Sequence, residues 1–372
     1  MRLILMGTGP FAVPSFQALL QQGYEIIHVI TRPAVPQSNK KEPPPSPVRQ
    51  WATDHQLPLS DPASINAAET TQWLQTQRAD LMVVCDYGQI LSRDALATAK
   101  LGGINLHGSL LPRHRGAAPV QWSILAGDSV AGVSIIHMTP ALDGGPVLHT
   151  LSTPVGETEN AGELESRLSQ IGVHSTLESV ALLATKNSLE ECLNIGLHQD
   201  KSLATKAPRL AKEDGELNFH YPVRWIDRLI RGLQPWPGSF AHVVFPDGKT
   251  LRLIIPQAIP IETNMAALPF LPGDLLYGET LKNLLETNPS LNLTPSLDPT
   301  PILNATPSRQ ASLVAVGIDG LMVIPVVQPA GKRLMSADEF LRGHSRIASM
   351  KIACIPGSHR LLNKMSCTSL PS

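Results

Sequence analysis

Short apolar runs closed by turn residues alternate with helix-period stretches through the first 184 residues. This alternation is the strongest constraint on the fold. Arg2 to Met6 is such a run, ended by Gly7-Thr8-Gly9-Pro10 and followed by a helical pattern from Val13 to Gln22. Glu25 to Ile30, Asp80 to Val84 and Gly103 to Leu106 read as further strands. Val133 to Met138 and Val147 to Leu151 complete a β-rich centre, and a long helix is predicted over Ala161 to Ala184. Such alternation builds a mostly parallel sheet covered on both faces, a Rossmann-like α/β domain. Sheets of this kind collect ligands outside the carboxyl ends of their strands.

Asn105 and His107 sit at one of those ends, in the run Gly103 to Pro119, GINLHGSLLPRHRGAAP. Residues two apart on a strand project to the same face, so an amide and an imidazole would share one space. There they make a neutral hydrogen-bond donor beside a group that titrates near neutrality. Taken alone, Asn-x-His is an ordinary strand end. Gly7-Thr8-Gly9 is likewise only part of a dinucleotide fingerprint: Ala12 holds the third glycine's place, and the second strand closes on Thr31-Arg32 without an acid. A tight strand-to-helix turn accounts for it better.

A chain of 372 residues is long for one core, and two domains are expected. The formal net charge of -1 does not advertise a nucleic-acid partner. By region, residues 1–200 hold 12 Lys+Arg against 18 Asp+Glu, whereas residues 201–348 hold 15 against 13. A basic lean in the second half fits an RNA partner held there, but it is slight. Cys85, Cys192, Cys354 and Cys367 show no Cys-x-x-Cys spacing, so neither a zinc site nor a disulfide framework is expected. No run approaches the roughly 18 apolar residues of a membrane span, and no charged leader precedes the first strand. A monomer in the cytoplasm is the expectation.

After a linker near 201–212, short strands are predicted at Ser239 to Phe245, Thr250 to Ile255, Ser312 to Val316 and Leu321 to Val327, which suggests a small barrel over 213–348. Residues 280–310, rich in Asn, Pro, Ser and Thr, read as a disordered insertion. Residues 349–372 carry no readable role.

Asn-x-His, Ser-Leu-Leu-Pro and Arg-Gly-Ala-Ala-Pro in this order resemble the signature of the 10-formyltetrahydrofolate-dependent formyltransferases. MRLILMGTGPFAVPSFQALL, PSPVRQWA, YGQIL, LDGGPVL, APRLAKEDGELNF, PWPGSF and KRLMSADEFLRG follow in family order from Met1 to about Ile347. They resemble the branch that formylates initiator methionyl-tRNA. The resemblance implies a catalytic domain over 1–200 and a C-terminal domain of the OB-fold type. It implies catalysis by Asn105, His107 and Asp143. Folate would bind at Ser109, Leu110, Leu111 and Pro112 and at Gly88, Gln89, Ile90 and Leu91, with no metal. Lys40, Lys41, Arg113, Arg115, Lys206 and Arg209 are the candidate tRNA contacts.

Formyl transfer to an amine needs a neutral attacking nitrogen, a stabilised oxyanion and a proton route to the leaving nitrogen. Each pre-placed oxyanion donor contributes about 3–4 kcal/mol, and a positioned proton carrier about 10²–10⁴-fold in rate. Asn105 suits the first role and His107 the second, with Asp143 orienting the imidazole and favouring its charged form. On its own, Asp in Asp-Gly-Gly reads as a turn residue, and Leu-Leu-Pro as a buried strand-to-turn transition. Arg113 and Arg115 could equally meet RNA phosphate or internal carboxylates. His137 and His149, in apolar strand patterns, read as core or edge residues. The loop 31–47 carries AVPQSNKKE where the family commonly has Ala-Gly-Arg-Gly-Lys-Lys, and Asp86 stands where it usually has Ala. Three competing readings are a formyltransferase acting on a small amine such as an amino sugar nucleotide, a formyltetrahydrofolate hydrolase, and a non-catalytic RNA-binding module.

Overall fold

The structure, a computed structural model, describes residues 1–33, 44–289, 291, 293, 313–344, 349–354 and 359–364. The chain forms two compact units, one of Met1–Ser123, Asp128–Glu157 and Glu163–Arg209, the other of Ile124–Gly127, Thr158–Gly162 and Leu210–Ser372. The break thus falls at Arg209, and most of the expected 201–212 linker belongs to the first unit.

The strands of the first unit are β1 (Arg2–Gly7), β2 (Glu25–Ile30), β3 (Leu59–Ser60), β4 (Leu81–Cys85), β5 (Gly103–His107), β6 (Arg115–Gly116), β7 (Val130–His137), β8 (Val147–Pro154) and β9 (Lys206–Ala207). Seven make one sheet in the order β3-β2-β1-β4-β5-β7-β8. The pairs from β3 through β5 are parallel, and β7 and β8 run antiparallel at the far edge. Leu3, Ile4, Leu5 and Met6 are wholly buried, as strands covered on both faces require; hence their unbroken apolar run. From β1 the chain moves to β2 and β3 on one side, then returns to β4 and β5 on the other. The topological switch therefore lies between the ends of β1 and β4, next to β5. The helix Ala161–Ala184 has the expected bounds. The helix Pro47–Asp54 starts on a Ser46 cap whose side chain accepts from the Arg49 N–H at 3.3 Å.

The two-residue strands β6 and β9 pair in parallel, so Lys206 and Ala207, expected as linker, are stitched to the Arg115-Gly116 turn. That pairing fixes the loop after β5.

In the second unit, β10 (Phe240–Val244), β11 (Thr250–Glu262), β12 (Asp274–Tyr277), β13 (Leu313–Val316), β14 (Gly320–Pro329), β15 (Met335–Ser336) and β16 (Met350–Ile352) form one antiparallel sheet. Pairing of β11 with β14 closes six of them, all but β15, into a barrel. Two expectations need correction here. Residues 349–372 are not a bare tail: Met350–Ile352 is the strand between β10 and β12, and Lys364 Nζ lies 2.5 Å from the fully buried Asp214 carboxylate. The supposed disordered stretch 280–310 begins in a helix, Gly278–Thr287, which buries Leu281 and Leu284 in the barrel core. The rest of that stretch lies almost wholly outside the described residues. No helix among the described residues is long and apolar enough to cross a membrane.

Candidate active site

Asn105 and His107 leave β5 on one face. Leu106, between them, points the other way and packs on the helix Ala161–Ala184, where a Cβ on Gly172 would come within 2.9 Å of its methyl. His107 is 5% exposed and Asn105 half-buried. Among the described residues nothing hydrogen-bonds the Asn105 amide, so its N–H groups remain available to a ligand.

The His107 ring is fixed from its far side. Its Nε2–H donates to the backbone carbonyl of His114 at 2.9 Å. A carbonyl oxygen can only accept, so the neutral ring carries its proton on Nε2 and keeps a lone pair on Nδ1. Nδ1 faces Asp143 Oδ1 at 3.8 Å. That is too long for a hydrogen bond but close enough for strong attraction once the ring is protonated.

Asp143 is itself held by backbone. Its Oδ2 accepts from the Gly116 N–H at 2.8 Å, and its φ of 48° is a left-handed conformation that Asp tolerates better than most residues. Gln199 Nε2 donates to the Asp143 and Gly145 carbonyls at 2.8 and 2.7 Å. Gln199 Oε1 in turn accepts from Arg115 Nε and Nη2 at 3.1 and 2.6 Å. At Gly145 no room is left for a side chain, since a Cβ there would stand 1.8 Å from the His137 carbonyl.

The two candidate folate segments follow the neighbouring strands β4 and β5 and so leave the same sheet edge. Ser109 is buried and donates to the Arg113 carbonyl at 2.7 Å. Ser134 Oγ donates to the Ser109 carbonyl and accepts from the Leu111 N–H, at 2.8 and 3.1 Å, which ties the segment to β7. Leu110, Leu111 and Pro112 are half-buried, and Ile90 is 60% exposed. Leu91 is buried and anchors its loop in the core. Gln89 spends its amide nearby, accepting from the Ile65 N–H at 2.9 Å, while Gly88 lies against Arg32.

Asp86 follows β4 at the switch point. It keeps an exposed face, yet desolvation pushes its carboxyl pKa up, opposed by the Gly9 N–H and then by Arg209 and Arg32. Glu165 is raised by its burial first and by the Asp86 charge second.

Of the candidate tRNA contacts, Arg113 pairs with Asp128 at 2.5 Å while 45% of its side chain stays exposed. Arg115 is spent on Gln199 as above, and Lys206 and Arg209 are exposed. Lys40 and Lys41 lie outside the described residues. His137 is fully buried on β7, and burial holds its pKa below the usual histidine value. His149, on the edge strand β8, meets Ser175 Oγ at 3.0 Å. Sequence reasoning missed His114, Gly116, Asp128, Gln199 and Thr205. Their part depends on spatial proximity, and only the His114-Arg115-Gly116 turn lay in a stretch already singled out.

The matches to known families, which cover both halves of the chain, make it a formyltransferase. Residues 1–180 match the formyl transferase family model, and residues 209–345 match that of the formyl transferase C-terminal domain. A methionyl-tRNA formyltransferase of Rhodopirellula baltica is 44% identical over 95% of this chain and 96% of its own. One from Nitrosococcus oceani is 34% identical over 95% and 97%. The chain belongs to the methionyl-tRNA formyltransferase family. Among solved structures, the fold resembles the sugar 3N-formyl transferase WlaRD, with a TM-score of 0.54 and 16% identity over 90% of this chain and 99% of that one. It also resembles an N-formyltransferase from Helicobacter canadensis, with a TM-score of 0.55 and 13% identity over 87% and 97%.

Proposed function

We propose that this protein transfers the formyl group of 10-formyltetrahydrofolate to the amino group of initiator methionyl-tRNA, with Asn105, His107 and Asp143 as its catalytic residues. The neutral amine attacks the formyl carbon, and the carbonyl electron pair moves onto oxygen. The Asn105 amide donates to that oxyanion. Collapse of the tetrahedral intermediate re-forms the carbonyl and breaks the bond to N10 of the folate. N10 leaves with a proton, and the attacking nitrogen gives one up. His107 Nδ1 is the ring atom suited to carry it, because Nε2 is committed to the His114 carbonyl. Asp143 stabilises the imidazolium while the proton is held. The observation that carries this reading is the His107 ring, locked on one side and turned toward a carboxylate on the other.

The half-buried Leu110, Leu111 and Pro112, with exposed Ile90 at the same sheet edge, offer the apolar surface a flat folate ring needs. Lys40, Lys41, Arg113, Lys206 and Arg209 supply cations for RNA phosphate, and Arg115 serves the site internally through Gln199. The similarity to methionyl-tRNA formyltransferases along nearly the whole chain favours charged initiator tRNA over an amino sugar nucleotide as acceptor.

The test supplies purified protein and 10-formyltetrahydrofolate with charged initiator tRNA, charged elongator tRNA, an amino sugar nucleotide, or no acceptor. Formylation of the initiator tRNA well above the other acceptors is expected. Preference for the sugar nucleotide, or formate release without any acceptor, would overturn the assignment.

A further inference from the structure

His114 combines features that a plain turn residue does not need. It is 4% exposed and adopts a left-handed φ of 59°, a conformation that non-glycine residues keep only when their surroundings hold them in it. Those surroundings are specific. The ring Nε2 meets Asp128 Oδ2 at 2.6 Å, and the other carboxylate oxygen takes Arg113 Nη2. The His114 N–H donates to Thr205 Oγ1 at 2.8 Å, and the Arg115 N–H to the Thr205 carbonyl at 2.9 Å. Thr205 directly precedes β9, whose pairing with β6 holds the next two residues. Side chain, amide and following strand are thus each fixed, and the remaining backbone group, the carbonyl, meets His107 Nε2.

We propose that His114 and Asp128 are positioning residues that set the tautomer of His107. Which nitrogen of an imidazole carries the proton is decided by the hydrogen bond the other makes. With the His114 carbonyl in place, the proton stays on Nε2 and the lone pair on Nδ1 faces the reaction. If residue 114 relaxed to an ordinary backbone conformation, the carbonyl would turn away. The ring could then protonate on Nδ1 and lose the lone pair that accepts the travelling proton. Arg113 supports the same carboxylate from its other oxygen. This inference rests on the reading of His107 as proton carrier.

The experiment uses the full chain labelled with nitrogen-15 at histidine, and a His107→Ala sample identifies the ring signals of that residue. Wild type is expected to show the neutral ring of His107 with its proton on Nε2. In Asp128→Ala the other tautomer should appear, with kcat for formyl transfer down about tenfold or more and KM for either substrate changed less than about twofold. Asp128→Asn keeps an acceptor in the same place and should restore both the tautomer and most of the rate. His114→Gly tolerates the left-handed backbone but loses the anchor. It should behave like Asp128→Ala, and it covers the case in which that variant does not fold. A wild-type tautomer in a folded Asp128→Ala or His114→Gly, whatever its rate, would overturn the proposal. Loss of the wider reading looks different: wild type that leaves initiator methionyl-tRNA unformylated, or His107→Ala with full activity, whatever the ring signals show.

Discussion

The Asp86 carboxylate fills the space that a side chain on Gly9 would need: a Cβ there would stand 1.9 Å from Oδ2. The Gly9 backbone, at φ -80° and ψ 174°, is open to any residue. What a side chain at residue 9 would have to displace is therefore the Asp86 carboxylate, not an unfavourable backbone conformation. The Gly9 N–H also hydrogen-bonds that carboxylate. The space beside Gly9 is thus filled by the protein's own acid, whereas a Cβ on Gly7 would meet the Cys85 carbonyl at 2.8 Å.

Gly9→Ala should therefore destabilise the protein by about 1–3 kcal/mol, the range for overpacking a tight site. In an Asp86→Ala background most of that cost should vanish. Denaturant melts of the four proteins should give a coupling of about 0.5–3 kcal/mol. Simply additive costs would mean that the two residues do not compete for space.

Glu165 and Asp86 make stability depend on pH in a definite direction. Both carboxyls are raised, chiefly by desolvation; Asp86 keeps an exposed face, so the preference of the fold for a neutral acid rests mainly on half-buried Glu165. The stability they contribute is full below the unfolded carboxylate range, about pH 4, and is lost as pH rises through the raised values. Glu165→Gln should raise the unfolding midpoint at about pH 7.5 and bring little or no gain near pH 4. Thermal melts at the two pH values decide it, and an equal gain at both would contradict the assigned cause.

Truncation after residue 348 would remove Met350–Ile352 and the Lys364 partner of Asp214. β10 and β12 would be left with open edges and a buried carboxylate without its cation. Lys364→Met alone should cost about 3 kcal/mol or more, because the Asp214 charge stays buried. Adding Asp214→Asn should recover much of that loss. Calorimetry of the single and double variants tests the pair, and a stable, cooperatively folded truncation would show that the barrel closes without these residues.

Much of the fold was legible because it rests on long, strongly patterned elements: the apolar runs of β1 and β4, the 24-residue helix Ala161–Ala184 and the shared face of Asn105 and His107. What escaped is short or spatial. β3, β6 and β9 have two residues each, and Met350–Ile352 has three with a lysine in the middle. None of these is long enough to show a period. The support of the site escaped for another reason. Asp128, Gln199 and Thr205 acquire meaning only when folding brings them to His114, Asp143 and Arg115. Asp86 looked out of place in a folate-loop segment until the space above Gly9 gave it a partner.

The most direct test is the single-turnover rate of formyl transfer to initiator methionyl-tRNA by His107→Ala, with both substrates saturating, alongside the binding of 10-formyltetrahydrofolate to the same variant. The expected result is a rate lower by roughly two decades or more with donor affinity close to that of wild type. A wild-type rate would show that the imidazole facing Asp143 does not carry the proton.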